Sequence, residues 1–121
     1  MTVLKIYTLA TCDACRRAVK WLRAQGIAFD ERPIRETPPQ AAELRAALAA
    51  QGGEVRRLFN VSGRDYRAQK LGEEMPAMSA AAALALLAEN GNLVKRPLVI
   101  GDGVALVGFD AKTWARALGA K

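Results

Sequence analysis

The chain contains no histidine. That absence excludes Ser/His and Cys/His hydrolytic pairs, which need an imidazole base, and most catalytic zinc sites, which need imidazole ligands. Cysteine is scarce as well. With only Cys12 and Cys15, one chain cannot assemble the usual Cys/His structural zinc site, so only an intermolecular one stays open. Aromatic residues make up 6%, so the core must rest on Leu, Val, Ile and many alanines. No apolar stretch approaches the ~18–20 residues that span a bilayer, and the longest, Ala80 to Ala88, is mostly alanine. The N-terminus has no charged leader followed by a long apolar segment and a small-residue cleavage site. The expectation is a cytoplasmic protein without a membrane partner.

What is present suits one domain. The 121 residues are 51% hydrophobic and 25% charged, a globular composition and not a disordered one. Lys+Arg exceed Asp+Glu by 18 to 12, a formal charge of +6. That excess favours anionic partners, but it is mild enough to serve solubility alone, and direct nucleic-acid contact is not expected.

Val3, Leu4, Ile6 and Tyr7 predict a strand through about Thr8. A helix follows from about Asp13 to Gln25, with Ala14, Ala18, Trp21 and Leu22 on its apolar face, Thr11 and Asp13 as N-cap candidates and Gly26 just past its end. Ile27 to Phe29 and Arg32 to Ile34 predict a second strand, parallel to the first. Pro38-Pro39 opens a helix to about Gln51, stopped by Gly52-Gly53. Short pieces come next: Val55 to Phe59, a polar loop Asn60 to Gly63, and a helical turn or two from Arg64 to Lys70. Ser79 caps a further helix ending near Asn90-Gly91. Leu98 to Ile100 and Val104 to Val107, joined by Gly101-Asp102-Gly103, predict an antiparallel hairpin, and Asp110 caps a last helix over Ala111 to Leu118. The order is βαβ, a helical insertion at about 38–91, then ββα: an α/β, thioredoxin-like fold with a mixed four-stranded sheet in one domain. Gly101 and Gly103 join strand to strand, so they form a turn and not a dinucleotide loop. Trp21 and Trp114 sit among aliphatics at helical spacing and are expected in the core; Arg56-Arg57 and the Arg64 to Lys70 cluster are expected as solvated faces.

The chemistry-bearing motif is Cys12-Asp13-Ala14-Cys15, where the first strand gives way to the first helix. Residues at i and i+3 share a helical face, within reach of disulfide geometry after a small adjustment. Free backbone N–H groups and the positive end of the helix dipole favour a thiolate at Cys12, and can lower a cysteine pKa from about 8.5 into the ~3.5–7.5 range. Arg16 and Arg17 add positive charge within a turn. A structural disulfide is a weak alternative, since closing so small a loop gains only ~2 kcal/mol; two idle buried thiols are another. Arg96-Pro97 is the second constellation. In thioredoxin-like folds this point carries a cis peptide beside the active cysteine, which would leave the Arg96 backbone free to pair with a substrate chain and its guanidinium to hold an oxyanion or carboxylate. The alternative is a trans proline at an edge strand with a solvated arginine.

With these residues in hand, the chain resembles the arsenate reductase/Spx-like regulator family. The segments that carry the likeness are IYTLATCDACRRAVKWL, RPIRETPP, LFNVSGRDYRAQKL and LVKRPLVIGDGVALVGFD. The resemblance implies a thioredoxin fold with a helical insertion and Cys12 as the reactive thiol. Glutaredoxin-coupled arsenate reductases of the family use that cysteine and three arginines that bind the oxyanion. Arg96 matches one of these arginines, the second falls at or near Asn60, and the third falls in Val107-Gly108-Phe109, where no arginine stands. Losing two cations removes several charge-assisted hydrogen bonds, each worth ~1.5–3 kcal/mol, which speaks against arsenate as substrate. Spx-like regulators instead carry a CxxC here as a redox switch and bind the C-terminal domain of the RNA polymerase α subunit; Gly52 or Gly53, with Arg56 and Arg57, would lie at that interface.

The first reading is therefore a glutathione- or glutaredoxin-coupled thiol reductase. In it Cys12 attacks, Cys15 resolves, and Thr11, Arg16, Asn60, Arg96 and Pro97 bind substrate. No resident metal or organic cofactor is implied, with glutathione only as co-substrate. A redox-sensing regulator is the second reading and a true arsenate reductase the third.

Overall fold

A computed structural model describes residues 3–119. Four strands form one sheet in the order β2-β1-β3-β4. β1 (Leu4–Thr8) runs parallel to β2 (Phe29–Pro33), from Leu4 opposite Phe29 to Thr8 opposite Pro33. β3 (Leu98–Gly101) is antiparallel to both β1 and β4 (Val104–Val107). Gly103, at φ +72°, makes the hairpin turn in the left-handed region that glycine adopts freely. The sheet is mixed and the fold α/β and thioredoxin-like, as the element order predicts.

Between β1 and β2 lies α1 (Asp13–Ala24), which buries Cys15, Ala18, Val19 and Leu22 along one stripe. Its end corrects the predicted second strand. Gly26 (φ +71°) donates to the Arg23 carbonyl and Ile27 to the Leu22 carbonyl, closing the helix with a Schellman turn. Ile27 is thus taken up by the cap, and the strand begins at Phe29.

α2 (Ala41–Ala50) starts later than Pro38-Pro39 suggested, because the Glu43 carboxylate reaches back to accept the Gln40 N–H at 2.9 Å. The rest of the insertion is a 3₁₀ turn (Val55–Leu58), α3 (Arg64–Ala68), α4 (Leu71–Glu74), a 3₁₀ turn (Met75–Ala77), α5 (Ala80–Glu89) and a 3₁₀ turn (Gly91–Leu93). Lys70, at φ 53°, separates α3 from α4, so the predicted Arg64 to Lys70 piece stops at Ala68. Ser79 Oγ caps α5 by accepting from Ala82 N at 3.1 Å. α6 (Ala111–Leu118) starts at Asp110, as expected.

The two faces of the sheet carry separate cores. Leu4, Ile6, Val99 and Leu106 pack under α1 and α6 with Ala18, Leu22 and Trp114. On the opposite face, Tyr7 and Leu98 meet Leu44, Ala47, Leu58, Ala83 and Leu87 of the insertion. Trp114 is fully buried, whereas Trp21 is only partly buried at the edge of the first core. Tyr7 Oη donates to Glu43 at 2.6 Å and Lys5 Nζ meets the same carboxylate at 2.9 Å, tying β1 to α2. Burial would raise the Glu43 pKa, but the bonds from Tyr7, Gln40 and Lys5 outweigh it and hold the carboxyl low. No helix among the described residues is long and apolar enough to cross a membrane.

Candidate active site

β1 ends at Thr8, and the chain turns back through a Cys12 N–H to Leu9 carbonyl bond of 3.0 Å before entering α1. This turn makes Cys12 itself the N-cap: its Sγ accepts the Cys15 N–H at 3.3 Å. Thr11 and Asp13, expected to supply the N-cap acceptor, do not take that role. Sulfur at an N-cap receives backbone N–H donation and the positive end of the helix dipole, both of which stabilise negative charge.

Cys12 is half-buried and Cys15 is buried one turn below it. Burial pushes the Cys15 thiol up to about 12, helped by its hydrogen bond to Cys12 and by charge on Cys12. A backbone bond from Leu9 and the charge of Arg96 pull the other way without offsetting this. The two thiols therefore differ in kind: one caps a helix in partial reach of solvent, and the other is a protonated core residue with its neighbour's sulfur above it.

The Arg96-Pro97 peptide is cis. β3 lies between β1 and β4, so the alternative of an edge-strand proline with a solvated arginine does not hold. Arg96 is half-buried, and its Nη1 donates to the carbonyls of Asn92 (3.4 Å) and Val94 (3.5 Å). It forms one wall of a polar cleft of about 320 Å³ together with Arg35, Asn60, Gly63, Arg64, Asp65 and Asn92.

The other expected binding residues divide. Asn60 lines the cleft and is fixed through its N–H to the Leu93 carbonyl at 2.7 Å. Arg16 does not face it: its guanidinium is held by the Ala10 carbonyl at 2.8 Å and by the Asp13 carboxylate. Asp13 thus neutralises the charge that Arg16 was expected to lend the cysteines. Thr11 is exposed and lines a different hollow, with Glu31, Pro33 and Glu36.

Sequence reasoning missed Arg35, Arg64, Asp65 and Asn92. Arg64 is exposed, as expected of a solvated face, but it also lines the cleft, and Asn92 follows the Asn90-Gly91 helix stop. The structure joins them in a chain: Asp65 Oδ2 accepts from Asn90 Nδ2 (2.9 Å) and Asn92 Nδ2 (3.2 Å), and Asn92 Oδ1 accepts from Arg35 Nε at 2.5 Å. These bonds to Asn90 and Asn92 hold the Asp65 carboxyl below its ordinary range. Gly91 is what allows the approach, since a Cβ there would overlap the Ile34 carbonyl just before Arg35. No local pattern announces contacts made across 25 to 57 residues of sequence. Among the described residues no cluster of three or more His, Cys, Asp or Glu side chains forms a metal site.

A family model described as the ArsC family matches residues 7–117. The chain belongs to the ArsC family. Among similar proteins, the uncharacterized protein YusI of Bacillus subtilis (strain 168) is 40% identical over 106 residues, with 88% of this chain and 90% of YusI covered. The global transcriptional regulator Spx of Enterococcus faecalis is 32% identical over 108 residues, covering 89% of this chain and 80% of Spx. A crystal structure described as a possible arsenate reductase, from Streptococcus mutans UA159, superimposes with a TM-score of 0.84 at 34% identity, covering 92% of this chain and 94% of the other. Proteins similar to this chain thus bear the names of a regulator and of a possible arsenate reductase, so the likeness alone does not select the activity.

Proposed function

We propose that this ArsC-family protein is a thiol–disulfide oxidoreductase in which Cys12 is the nucleophile and Cys15 the resolving thiol. The observation that carries the reading is the asymmetry of the pair: an N-cap sulfur accepting the Cys15 amide at 3.3 Å, above a buried thiol pushed up to about 12. Cys15 stays protonated at neutral pH, which leaves Cys12 to begin. Its thiolate attacks one sulfur of a disulfide, forms a mixed disulfide and expels the other sulfur as thiolate. Once Cys12 Sγ is in that bond it no longer carries charge, so its electrostatic contribution to raising Cys15 is lost. Cys15 then gives up its proton more readily and attacks Cys12 Sγ, releasing the second thiolate and leaving a Cys12–Cys15 disulfide. The substrate has gained two electrons. Two glutathione molecules, or one glutaredoxin dithiol, return them and are oxidised to the corresponding disulfide. Arg96 supplies positive charge to an anionic group of substrate or glutathione.

The test is a steady-state assay with glutathione, glutaredoxin and a small disulfide, with arsenate run in parallel. Cys12→Ser is expected to abolish turnover, and Cys15→Ser to accumulate a mixed disulfide visible by mass spectrometry. If both variants keep full activity the reading fails. Turnover of arsenate would favour the third reading.

A second reading is favoured by the 32% identity to Spx and by a groove of about 720 Å³ lined by Gly53, Arg56, Arg57, Phe59, Met75 and Lys95. In that reading, oxidation of the cysteine pair changes a surface that docks on the RNA polymerase α C-terminal domain. No association of the two proteins, oxidised or reduced, removes it.

A further inference from the structure

The sheet has two outer edges, and they are built differently. β2 carries Asp30, Glu31 and Arg32 and ends at Pro33, a composition that keeps a strand edge from pairing. β4, from Val104 to Val107, has no charge and no proline, and none of its four residues is exposed. The register tells which of its backbone groups are free. Val107 stands opposite Leu98 and Leu106 opposite Val99, so Gly108 stands opposite Pro97, whose carbonyl accepts the Gly108 N–H at 2.9 Å. Bonding residues alternate along an antiparallel strand, so Gly108, Leu106 and Val104 face β3. The N–H and C=O groups of Ala105 and Val107 therefore point outward, and among the described residues nothing takes them up.

This edge lies in a slot. Leu106, Val107 and Gly108 line a hollow of about 250 Å³, with Gln51 and Arg57 of the insertion on one side and Asp110 and Thr113 at the head of α6 on the other. The two walls carry opposite charge. Arg57 Nε meets Glu54 at 2.5 Å, so its Nη groups remain donors. The Asp110 carboxylate accepts from Lys112 N and Thr113 Oγ1 and keeps its charge. A second copy paired edge to edge about a two-fold axis would set arginine toward arginine and aspartate toward aspartate. A single extended chain meets no such repulsion. Its side chains would alternate between the walls. Val107 packs toward the insertion's core and Leu106 toward the α6 core. A residue paired with Val107 thus faces Arg57 and Gln51, and its two neighbours face Asp110 and Thr113.

We propose that the β4 edge docks an extended segment of a partner protein. The segment adds to the sheet as an antiparallel fifth strand and sets an acidic side chain against Arg57, between neighbours that are basic or hydroxylic. Ala105 and Val107 supply the main-chain bonds that give affinity, and the two walls supply the choice of sequence. Gly108 is bonded to Pro97, so the slot opens at the end of the sheet where β1 leads to Cys12. The inference uses no property of the cysteines and holds whether they act in turnover or as a switch.

The probe is an acetylated pentapeptide amide, Lys-Glu-Thr-Val-Thr, whose glutamate is to pair with Val107 and whose valine with Ala105. Heteronuclear NMR titration of the whole protein is expected to shift the Ala105 and Val107 amides and to slow their hydrogen exchange. Methylating the glutamate nitrogen, which donates to the Val107 carbonyl, is expected to weaken binding about tenfold or more. Methylating the nitrogen of the next threonine, which points away from β4, is expected to change it less than about twofold. Arg57→Glu is expected to lose about tenfold and to regain it when the peptide's glutamate is replaced by lysine. Arg23→Ala, which removes a charge from α1, is expected to bind as the native protein does. Ala105→Pro removes an outward N–H at a sheet edge, where proline is tolerated. It is expected to keep Tm within a few degrees while binding falls about tenfold. No binding, equal effects of the two methylations, native affinity in Arg57→Glu, or an Ala105→Pro variant that unfolds each overturns the proposal. A dimer in sedimentation equilibrium that Ala105→Pro dissociates assigns the edge to a second copy and overturns it too.

Discussion

The two faces of the sheet are covered by helices of different construction. Under α1 and α6 the core is a stripe of Ala18, Val19, Leu22 and Trp114, with charged residues on the outer side of the same helices. On the insertion's face, α2 and α5 are mostly alanine and are seated by Leu44, Ala47, Ala83 and Leu87. Leu58, Phe59, Tyr66, Leu71 and Leu93 complete that core, and charge supplements it: Glu43 is clamped by Tyr7, Lys5 and the Gln40 amide. The frame holds Cys12 in the strand-to-helix turn, whereas the insertion brings Asn60, Arg64 and Asn92 to the polar cleft in short helices and 3₁₀ turns. The cysteine pair and the polar cleft are therefore held by regions of different construction.

Loss of the frame's sulfur should be the largest effect. Cys12→Ser is expected to reduce turnover about 10³-fold or more, with little change in Tm because serine is a preferred N-cap. A Tm drop of many degrees would mean that the sulfur is structural. Next come the two faces themselves. Trp114→Ala, which empties a fully buried site and loses the Nε1 bond to the Gly108 carbonyl, is expected to cost about 3–5 kcal/mol. Glu43→Ala strands a buried tyrosine hydroxyl and a lysine and is expected to cost about 3 kcal/mol. Urea unfolding measures both, and a Glu43 variant that behaves like a surface substitution would show the insertion seated by apolar contact alone.

Gly91→Ala tests how the insertion meets the cleft. Its Cβ would overlap the Ile34 carbonyl, so a loss of about 1–3 kcal/mol in urea unfolding is expected.

The alkaline limb of stability comes next. A thiol raised from 9.0 to about 12 binds its proton more tightly when folded. Its contribution is complete below about pH 9 and is lost as pH rises toward 12, with a slope of at most about 1.4 kcal/mol per pH unit. Tyr7, raised by burial and by its bond to Glu43, acts with the same sign. The Cys15 share is the part of the slope missing in Cys15→Ser. Ser79→Ala, removing the α5 cap, should cost about 1 kcal/mol.

The frame was legible because its signals are local. Asp110 before α6, Gly103 in the hairpin and Ser79 before α5 each act on residues within a few positions, and each stands where the pattern put it. The start of β2 and of α2 was misplaced for a related reason. A Schellman turn absorbed Ile27, and the Glu43 carboxylate fixed Gln40 as the helix boundary, so cap chemistry overrode strand propensity and the proline signal. Of the candidate site, the cysteines, Asn60 and the Arg96-Pro97 pair could be read directly. Arg16 looked available by spacing but is occupied by its neighbour Asp13.

The order of strands and helices, the cysteine at the head of α1 and the division into frame and insertion follow from the sequence alone. Propensity, capping and hydrophobic period are short-range effects that each segment carries with it. The inequality of the two thiols and the gathering of Arg35, Arg64 and Arg96 around Asn92 were decided only by the tertiary structure. Burial and charge are properties of what surrounds a group, and these surroundings come from parts of the chain that meet only when the insertion closes over the sheet.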